Sequence, residues 1–295
     1  MKSTFKTEKI LAAIDLGLDT EKILAYAFWM SKTAGNGAAE IDMLYVIDYA
    51  LTPPAYMVPY IEKEKKADEE ELCKWTERLK GLGIKAGHAI AVGRLVEAFN
   101  TAIKDMREDI LVLGHKSHIV RPSSSERLIK SLDIPMLVVR GQKSERALIG
   151  NVSIEKILCP VDFSEPSKKA LEFAKSLSEK TSAGLVVSHV VSSVKMEKGF
   201  EKLKGMSEKD KSDYKNGLIK DAEEKMCSFL NICGGAESVV RIGIPYTTIN
   251  EIATEKEADL IVMGARGLSY TKGVILGSVS ESIIKSSPCP VMIVR

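Results

Sequence analysis

The chain alternates short apolar runs with longer segments of mixed apolar and polar residues, and it does so twice. In the second half the apolar runs are Lys156–Asp162, Gly184–Val191, Ser238–Ile242, Leu260–Gly264 and Val291–Val294. They are rich in Val, Ile and Leu with little polar alternation, the pattern of strands covered on both faces. Between them a helical period predicts helices over Pro166–Thr181, Ser212–Ile232, Thr247–Glu257 and Ser278–Ser286. Ser164 stands at the N-cap of the first of these, with Pro166 at its start. The first half predicts strands at Lys9–Asp15, Glu40–Ile47, Ile84–Val92, Ile110–Gly114 and Met136–Val139. Its long helix, Tyr60–Leu79, is rich in Glu and Lys and reads as a solvated face. Such strand–helix–strand alternation calls for a parallel sheet with right-handed crossovers.

The two halves share their wording as well as their rhythm. Glu8-Lys-Ile-Leu-Ala-Ala-Ile-Asp15 matches Glu155-Lys-Ile-Leu-Cys-Pro-Val-Asp162, and Asp109-Ile-Leu-Val-Leu-Gly114 matches Asp259-Leu-Ile-Val-Met-Gly264. Ser125-Glu-Arg-Leu-Ile-Lys130 matches Ser280-Glu-Ser-Ile-Ile-Lys285, each followed by an apolar run that ends in Arg140 or Arg295. The matches keep their order and nearly their spacing, so the chain is a tandem duplication of one domain. The expected division is 1–141, a polar linker over 142–152, and 153–295.

At 295 residues, each half is long enough to bury its own core. A net charge of +2, with no concentrated basic patch, argues against a dedicated nucleic-acid or membrane surface. Five cysteines, Cys73, Cys159, Cys227, Cys233 and Cys289, match neither a CxxC pair nor a zinc ribbon. Cys159 and Cys289 lie in apolar strands, where a free thiol acts as a small hydrophobe. The polar N-terminus leads straight into a strand and no apolar run reaches membrane-spanning length, so a cytoplasmic protein is expected.

Chemistry concentrates near the end of the chain. Gly264 closes a strand, Gly267 follows in the loop, and Gly277-Ser278 opens a helix. Glycines let backbone N–H groups approach a ligand, and a helix start adds unpaired donors and partial positive charge, which suits a phosphate chain. In a parallel sheet ligands bind beyond the strand tips at the switch point. Asp162 ends the first strand of this half, so it either faces that crevice or caps the following helix. Other nucleotide signatures fail. Gly267-Leu-Ser-Tyr-Thr-Lys272-Gly273 has Lys and Gly in the wrong order for a Walker A loop. Pro160-Val-Asp-Phe-Ser164 stands where a dinucleotide fingerprint or the Ser-Gly-Gly-x-Asp-Ser loop of ATP pyrophosphatases belongs. Ser282-Ile-Ile-Lys285 fits Ser-x-x-Lys but lacks that motif's companions and reads as a helix face.

The residues resemble the ATP-binding branch of the universal stress proteins. Gly264, Gly267, Gly277 and Ser278 satisfy every position of Gly-x2-Gly-x9-Gly-Ser/Thr. Ile157-Leu-Cys-Pro160-Val-Asp162-Phe-Ser164-Glu-Pro166, Ser188-His189-Val190, Gly243-Ile-Pro245 and Pro290-Val-Met-Ile-Val294 look like further stretches of the family. The resemblance implies an α/β fold of two doubly wound domains, adenine nucleotide alpha hydrolase-like. Each would hold a five-stranded parallel sheet of order 3-2-1-4-5. It also implies ATP with Mg or Mn on its phosphates. Pro160, Val161, Asp162 and Val190 would border the adenine or ribose, with Gly243 near the ribose. Gly264, Gly267, Gly277, Ser278 and Val279 would hold the phosphates. Arg266 is added as a cation within the loop, equally at home in solvent. His189 reads as a satisfied strand-end histidine. No catalytic residue and no metal ligand is assigned.

The first half keeps Gly114 but carries Ser117 at the next motif position, a shorter loop, and Pro122-Ser123 in place of Gly-Ser. Ser123 and Ser124 retain hydroxyls, and His115, Lys116 and Arg121 retain charge or polarity, but the glycines' freedom is gone. One ATP site, in the second half, is therefore expected. Family members pair through their last strands, so the two halves are expected to pair within the chain, with a homodimer as a further possibility. The functions in view are a nucleotide-binding regulator acting on another protein, a slow ATPase or phosphotransferase, and a structural module with a vestigial loop. For phosphoryl transfer, Ser269, Thr271, Ser278 and Asp162 lie near the loop without forming a defined acceptor site.

Overall fold

The computed structural model of the chain describes residues 7–34, 38–48, 58–115, 123–202, 207–231, 235–267 and 276–295. The chain packs as two units, one running to Ser153 and the other from Ile154 to Arg295. The first holds β1 (Lys9–Ile14), α1 (Thr20–Ala34), β2 (Glu40–Asp48), α2 (Val58–Gly81), β3 (Ala86–Gly93), α3 (Leu95–Met106), β4 (Ile110–Gly114), α4 (Ser124–Ser131) and β5 (Met136–Val139). The second holds β6 (Lys156–Pro160), α5 (Glu165–Thr181), β7 (Gly184–Ser192), α6 (Ser193–Lys202), α7 (Glu208–Leu230), β8 (Glu237–Gly243), α8 (Pro245–Glu255), β9 (Leu260–Gly264), α9 (Ser278–Ser286) and β10 (Val291–Val294).

Within the first unit the strands lie in the order β3-β2-β1-β4-β5, within the second β8-β7-β6-β9-β10, and neighbours in both are parallel. Counted from the start of each unit, both orders read 3-2-1-4-5, as expected. The chain reverses direction across the sheet between the first and fourth strands, which is where such folds open a crevice. The central strands are sealed on both faces. Ile10, Leu11, Ile110 and Leu111 in one unit, and Ile157, Leu158, Leu260 and Ile261 in the other, are fully buried. Cys159 and Cys289 are buried with the apolar core, while Cys233 lies outside the described residues.

A repeated device sets the central register. The Asp109 carboxylate accepts from Glu8 N–H and Lys9 N–H at 2.7 and 3.0 Å. Asp259 accepts from Glu155 N–H and Lys156 N–H, both at 3.0 Å. Each Asp ties the entry of the fourth strand to the entry of the first.

The cores differ beside that tie. In the first unit Asp42 on β2 lies beside Glu108, just ahead of β4, and both are buried. Burial, then the charge and hydrogen bond of Asp42, push the Glu108 carboxyl up to about 8. Burial likewise raises Asp42. Gly87 on β3 faces Asp42, and a Cβ there would strike its carboxylate. The second unit has Val186 and Ala258 at the corresponding places, both buried and apolar.

The structure departs from the sequence expectation in two instructive places. Residues 193–202 form α6, where the pattern had predicted no helix; Gly199 obscures an otherwise helix-favouring run. That glycine faces the Tyr214 hydroxyl of α7, and a Cβ would come within 2.7 Å of it. Strand β6 stops at Pro160, two residues short of the predicted Asp162, because Asp162 already begins a turn.

Candidate functional site

The tips of β6 and β9 frame the crevice, and Pro160 shapes it. Val161 N–H donates to Ser188 O of β7 at 2.8 Å, so backbone groups one residue away face the β9 side. Pro160 has no N–H to offer there. The β6–β9 ladder accordingly ends after Ile157↔Leu260 and Leu158↔Ile261. In the first unit, Ala13 replaces the proline and its ladder runs on to Ala13↔Leu113. A proline at the end of a central strand thus stops the pairing at the switch point.

Beyond Pro160 the chain turns sharply. The Asp162 carboxylate accepts from Ser164 N–H at 3.1 Å and from the Ser164 hydroxyl, while Ser164 caps α5 by accepting from Ser167 N–H. Phe163 between them holds a left-handed φ of 65°. Its ring lies 4.3 Å from the His189 ring and 5.3 Å from Phe229. His189 Nδ1–H donates to Val161 O at 2.8 Å, giving that histidine a structural occupation. Asp162 is therefore not the helix cap itself; it braces the residue that is.

The other carboxylate oxygen of Asp162 fills the space where a Gly267 side chain would stand. Gly264 has a different reason to lack a side chain: a Cβ there would lie 2.9 Å from the backbone C and O of Pro166 in the first turn of α5. Gly277 is different again. It is the N-cap of α9, with φ −77° and no side-chain cap bond, and a Cβ would meet Ala265 O and Arg266 Cα at 3.5 Å and Gly267 N at 3.8 Å, all ordinary contacts. Gly277 N–H donates to Ala265 O at 2.8 Å, which closes the loop's two ends on each other. The first intrahelical bond is Glu281 N–H to Gly277 O, so the N–H groups of Ser278, Val279 and Ser280 precede it.

Asp162, Arg266, Gly267 and Gly277 are thus brought together, with Ser278 and Val279 opening the adjacent helix. Val190 lies on β7 opposite Arg241, and Gly243 ends β8 opposite Ser192, one strand further out. Gly243 faces the Thr248 hydroxyl of α8 so closely that a Cβ would collide with it. Residues 268–275, which include Ser269, Thr271, Lys272 and Gly273, lie outside the described residues. Sequence reasoning missed Ser280, whose buried hydroxyl donates to Gly264 O at 3.0 Å and pins helix to strand. The signal was available in the repeat, because Ser280 matches Ser125.

The corresponding corner of the first unit is filled from within. His115 stands where Ala265 does, with its N–H on Val139 O at 3.1 Å as Ala265 N–H is on Val294 O at 2.9 Å. His115 Nδ1 meets Ser125 Oγ at 3.1 Å, and Ser125 Oγ meets Ser123 Oγ at 2.9 Å. Ser123 caps α4 by accepting from Glu126 N–H at 3.2 Å. The hydroxyl expected to remain available for an anion is the helix's own cap. Lys116, Ser117, Arg121 and Pro122 lie outside the described residues.

Five parallel strands of order 3-2-1-4-5 in each unit define a tandem doubly wound α/β protein. The family model of the universal stress proteins matches residues 6–140 and again 153–295, and the chain belongs to that stress-response family. A universal stress protein of Methanocaldococcus jannaschii is 31% identical over 157 residues, covering 49% of this chain and 97% of the relative. A second from the same organism is 29% identical over 146 residues, covering 48% and 82%. The crystal structure of a universal stress protein from Archaeoglobus fulgidus superposes with a TM-score of 0.70 at 25% identity, covering 99% of this chain and 97% of that one. The single-domain relatives thus match half of the chain, and the A. fulgidus protein matches nearly all of it. Among the described residues no helix is long and apolar enough to cross a membrane.

Proposed function

We propose that the second domain binds ATP, with Mg or Mn carried on the phosphates, and that the protein is a cytoplasmic nucleotide-dependent regulator in the stress response. The observation that carries the reading is the α9 start: a glycine at the N-cap, no side-chain cap bond among the described residues, and Gly267 and Arg266 beside it. Open donors at a helix start favour a dense negative charge, which a triphosphate supplies. The N–H groups of Ser278, Val279 and Ser280 would hold phosphate oxygens, with Gly267 admitting close approach and Arg266 adding charge. Pro160, Val161 and Asp162 would border the sugar or base, with Val190 and Gly243 further out along the same edge.

Regulation requires the nucleotide to favour one conformation over another. A triphosphate at the α9 start would supply that bias, and a protein partner would read the difference. In this reading the nucleotide is retained and not consumed.

Mass spectrometry of nucleotide released from purified protein, with thermal unfolding in Mg-ATP, tests the reading. Retained adenine nucleotide, and a stability gain of about 2.7 kcal/mol at ATP a hundredfold above Kd, are expected. Protein that carries none and gains nothing would sink the proposal, and steady Mg-dependent turnover would replace the regulator with an ATPase. Gly277→Ser is the informative variant, since φ −77° and ordinary contacts accept a side chain there. Gly264→Val is not, because its clash with Pro166 perturbs packing as well as binding.

A further inference from the structure

Helix α2 presents Glu69 and Cys73, four residues apart and therefore on one face, to His88 on β3. One carboxylate oxygen, one sulfur and one ring nitrogen lie within 4.8 Å of one another. His88 Nε2 is 3.0 Å from Glu69 Oε1 and 3.8 Å from Cys73 Sγ. The other ring nitrogen is already committed. The Thr76 hydroxyl donates to Leu72 O at 2.9 Å, so the oxygen has lone pairs left to receive His88 Nδ1–H at 2.7 Å. That bond fixes the tautomer and turns the bare Nε2 lone pair toward the carboxylate and the sulfur.

We infer that Glu69, Cys73 and His88 form a Zn²⁺ site in the first domain. Two lone-pair-bearing atoms facing each other call for a positive centre between them. Zinc accepts this mixture of N, O and S ligands, and at bonds of about 2.0–2.3 Å its tetrahedral ligands lie roughly 3.4–3.6 Å apart. The observed 3.0 and 3.8 Å bracket that spacing. Glu69 and Cys73 are exposed, so the ion has an entry path and the fourth position belongs to water. Thr76 is the positioning residue that orients the imidazole, as outer-shell partners of zinc histidines do. Binding converts the Cys73 thiol to thiolate and releases one proton to solvent. The bound ion would staple α2 to β3, an edge strand of its sheet. The cysteine spacings gave no hint of this, because the ligands come together only when α2 folds onto β3.

The test is titration of the full chain, reduced and freed of metal and affinity tag, with Co²⁺ as a spectroscopic probe and Zn²⁺ in competition with a colorimetric chelator. One equivalent should bind, with a thiolate-to-cobalt charge-transfer band and intense tetrahedral d–d bands. Cys73→Ser should abolish the charge-transfer band, and His88→Gln should weaken Zn²⁺ binding at least about 10-fold. Cys227→Ser, at another exposed cysteine, should change neither. Thr76→Val should weaken Zn²⁺ about 10–100-fold while leaving the cobalt band in place, and Thr76→Ser should restore it. Far-ultraviolet circular dichroism checks that each variant is folded. An absent band in the parent protein, or one that survives Cys73→Ser, overturns the site, and the cluster is then a hydrogen-bonded surface contact.

Discussion

Helices α4 and α9 begin at equivalent places in two copies of one domain, yet they begin differently. Ser123 bends its hydroxyl onto Glu126 N–H, and behind it Ser125 and His115 fill the corner. Gly277 has no side chain to give its helix, and Ala265 stands in the place of His115. The first helix start is capped by its own side chain; the second has no such cap at its N-cap residue. The same contrast recurs at the strand tips, where Ala13 continues a ladder that Pro160 stops. Loss of the nucleotide motif in one copy is therefore a gain of local self-sufficiency.

The sharpest way to break this comparison is at the paired glycines that end the fourth strands. Gly264→Val meets the Pro166 backbone and should destabilise the chain by on the order of 3 kcal/mol in urea unfolding. Gly114→Val meets the flexible end of Ile23 at 3.1 Å and should cost about 1 kcal/mol. Equal losses would mean that the two strand tips are packed alike.

Next comes the carboxyl pair that only the first domain has. A carboxyl with a raised native pKa keeps its proton in the folded state where the unfolded chain has lost it. Its contribution to stability therefore falls as pH rises from 4.5 to about 8. Transplanting the second domain's residues, Asp42→Val with Glu108→Ala, should flatten that slope and stabilise the protein at pH 8 by about 1–4 kcal/mol. Urea melts at pH 5 and pH 8 decide it, and an unchanged slope refutes the assignment.

Gly277→Ser gives α9 the cap that α4 has, and ATP affinity should drop about 10–100-fold, or about 1.4–2.7 kcal/mol, with folding intact. Full affinity in that variant, measured by calorimetry, would remove the α9 start from the site. The smallest effect is at the caps themselves. Ser123→Ala should cost about 1 kcal/mol in thermal unfolding, whereas Gly277→Ala, with no side-chain bond to lose, should shift stability by a few tenths.

Much of the architecture was legible because it rests on patterns the sequence carries locally. Strands β4, β5, β9 and β10 and helix α9 fall where apolar runs and the Gly-Ser start put them. Asp109 and Asp259 stand out in the sequence as a repeated position, and their tie to the first strands emerges only in the hydrogen bonds. What stayed hidden depends on tertiary approach. Gly264 reads as part of a phosphate loop, but its missing side chain answers to Pro166; Gly267 answers to Asp162. Ser123 looked available and is occupied. The buried Asp42–Glu108 pair and the Glu69–Cys73–His88 cluster join residues 66 and 15–19 positions apart in sequence, beyond any local period.

Leu16 and Phe163, in the turns that follow the first strand of their units, hold left-handed φ values of 53° and 65°. A bulky side chain in that region is strained by about 1–3 kcal/mol. Both copies bear it, although only one keeps the glycine loop that would use the turn. The strained turn therefore answers to the scaffold and does not depend on the glycine loop. A doubled gene product built this way can change the loop of one copy through a few backbone-level substitutions while the frame of both stands.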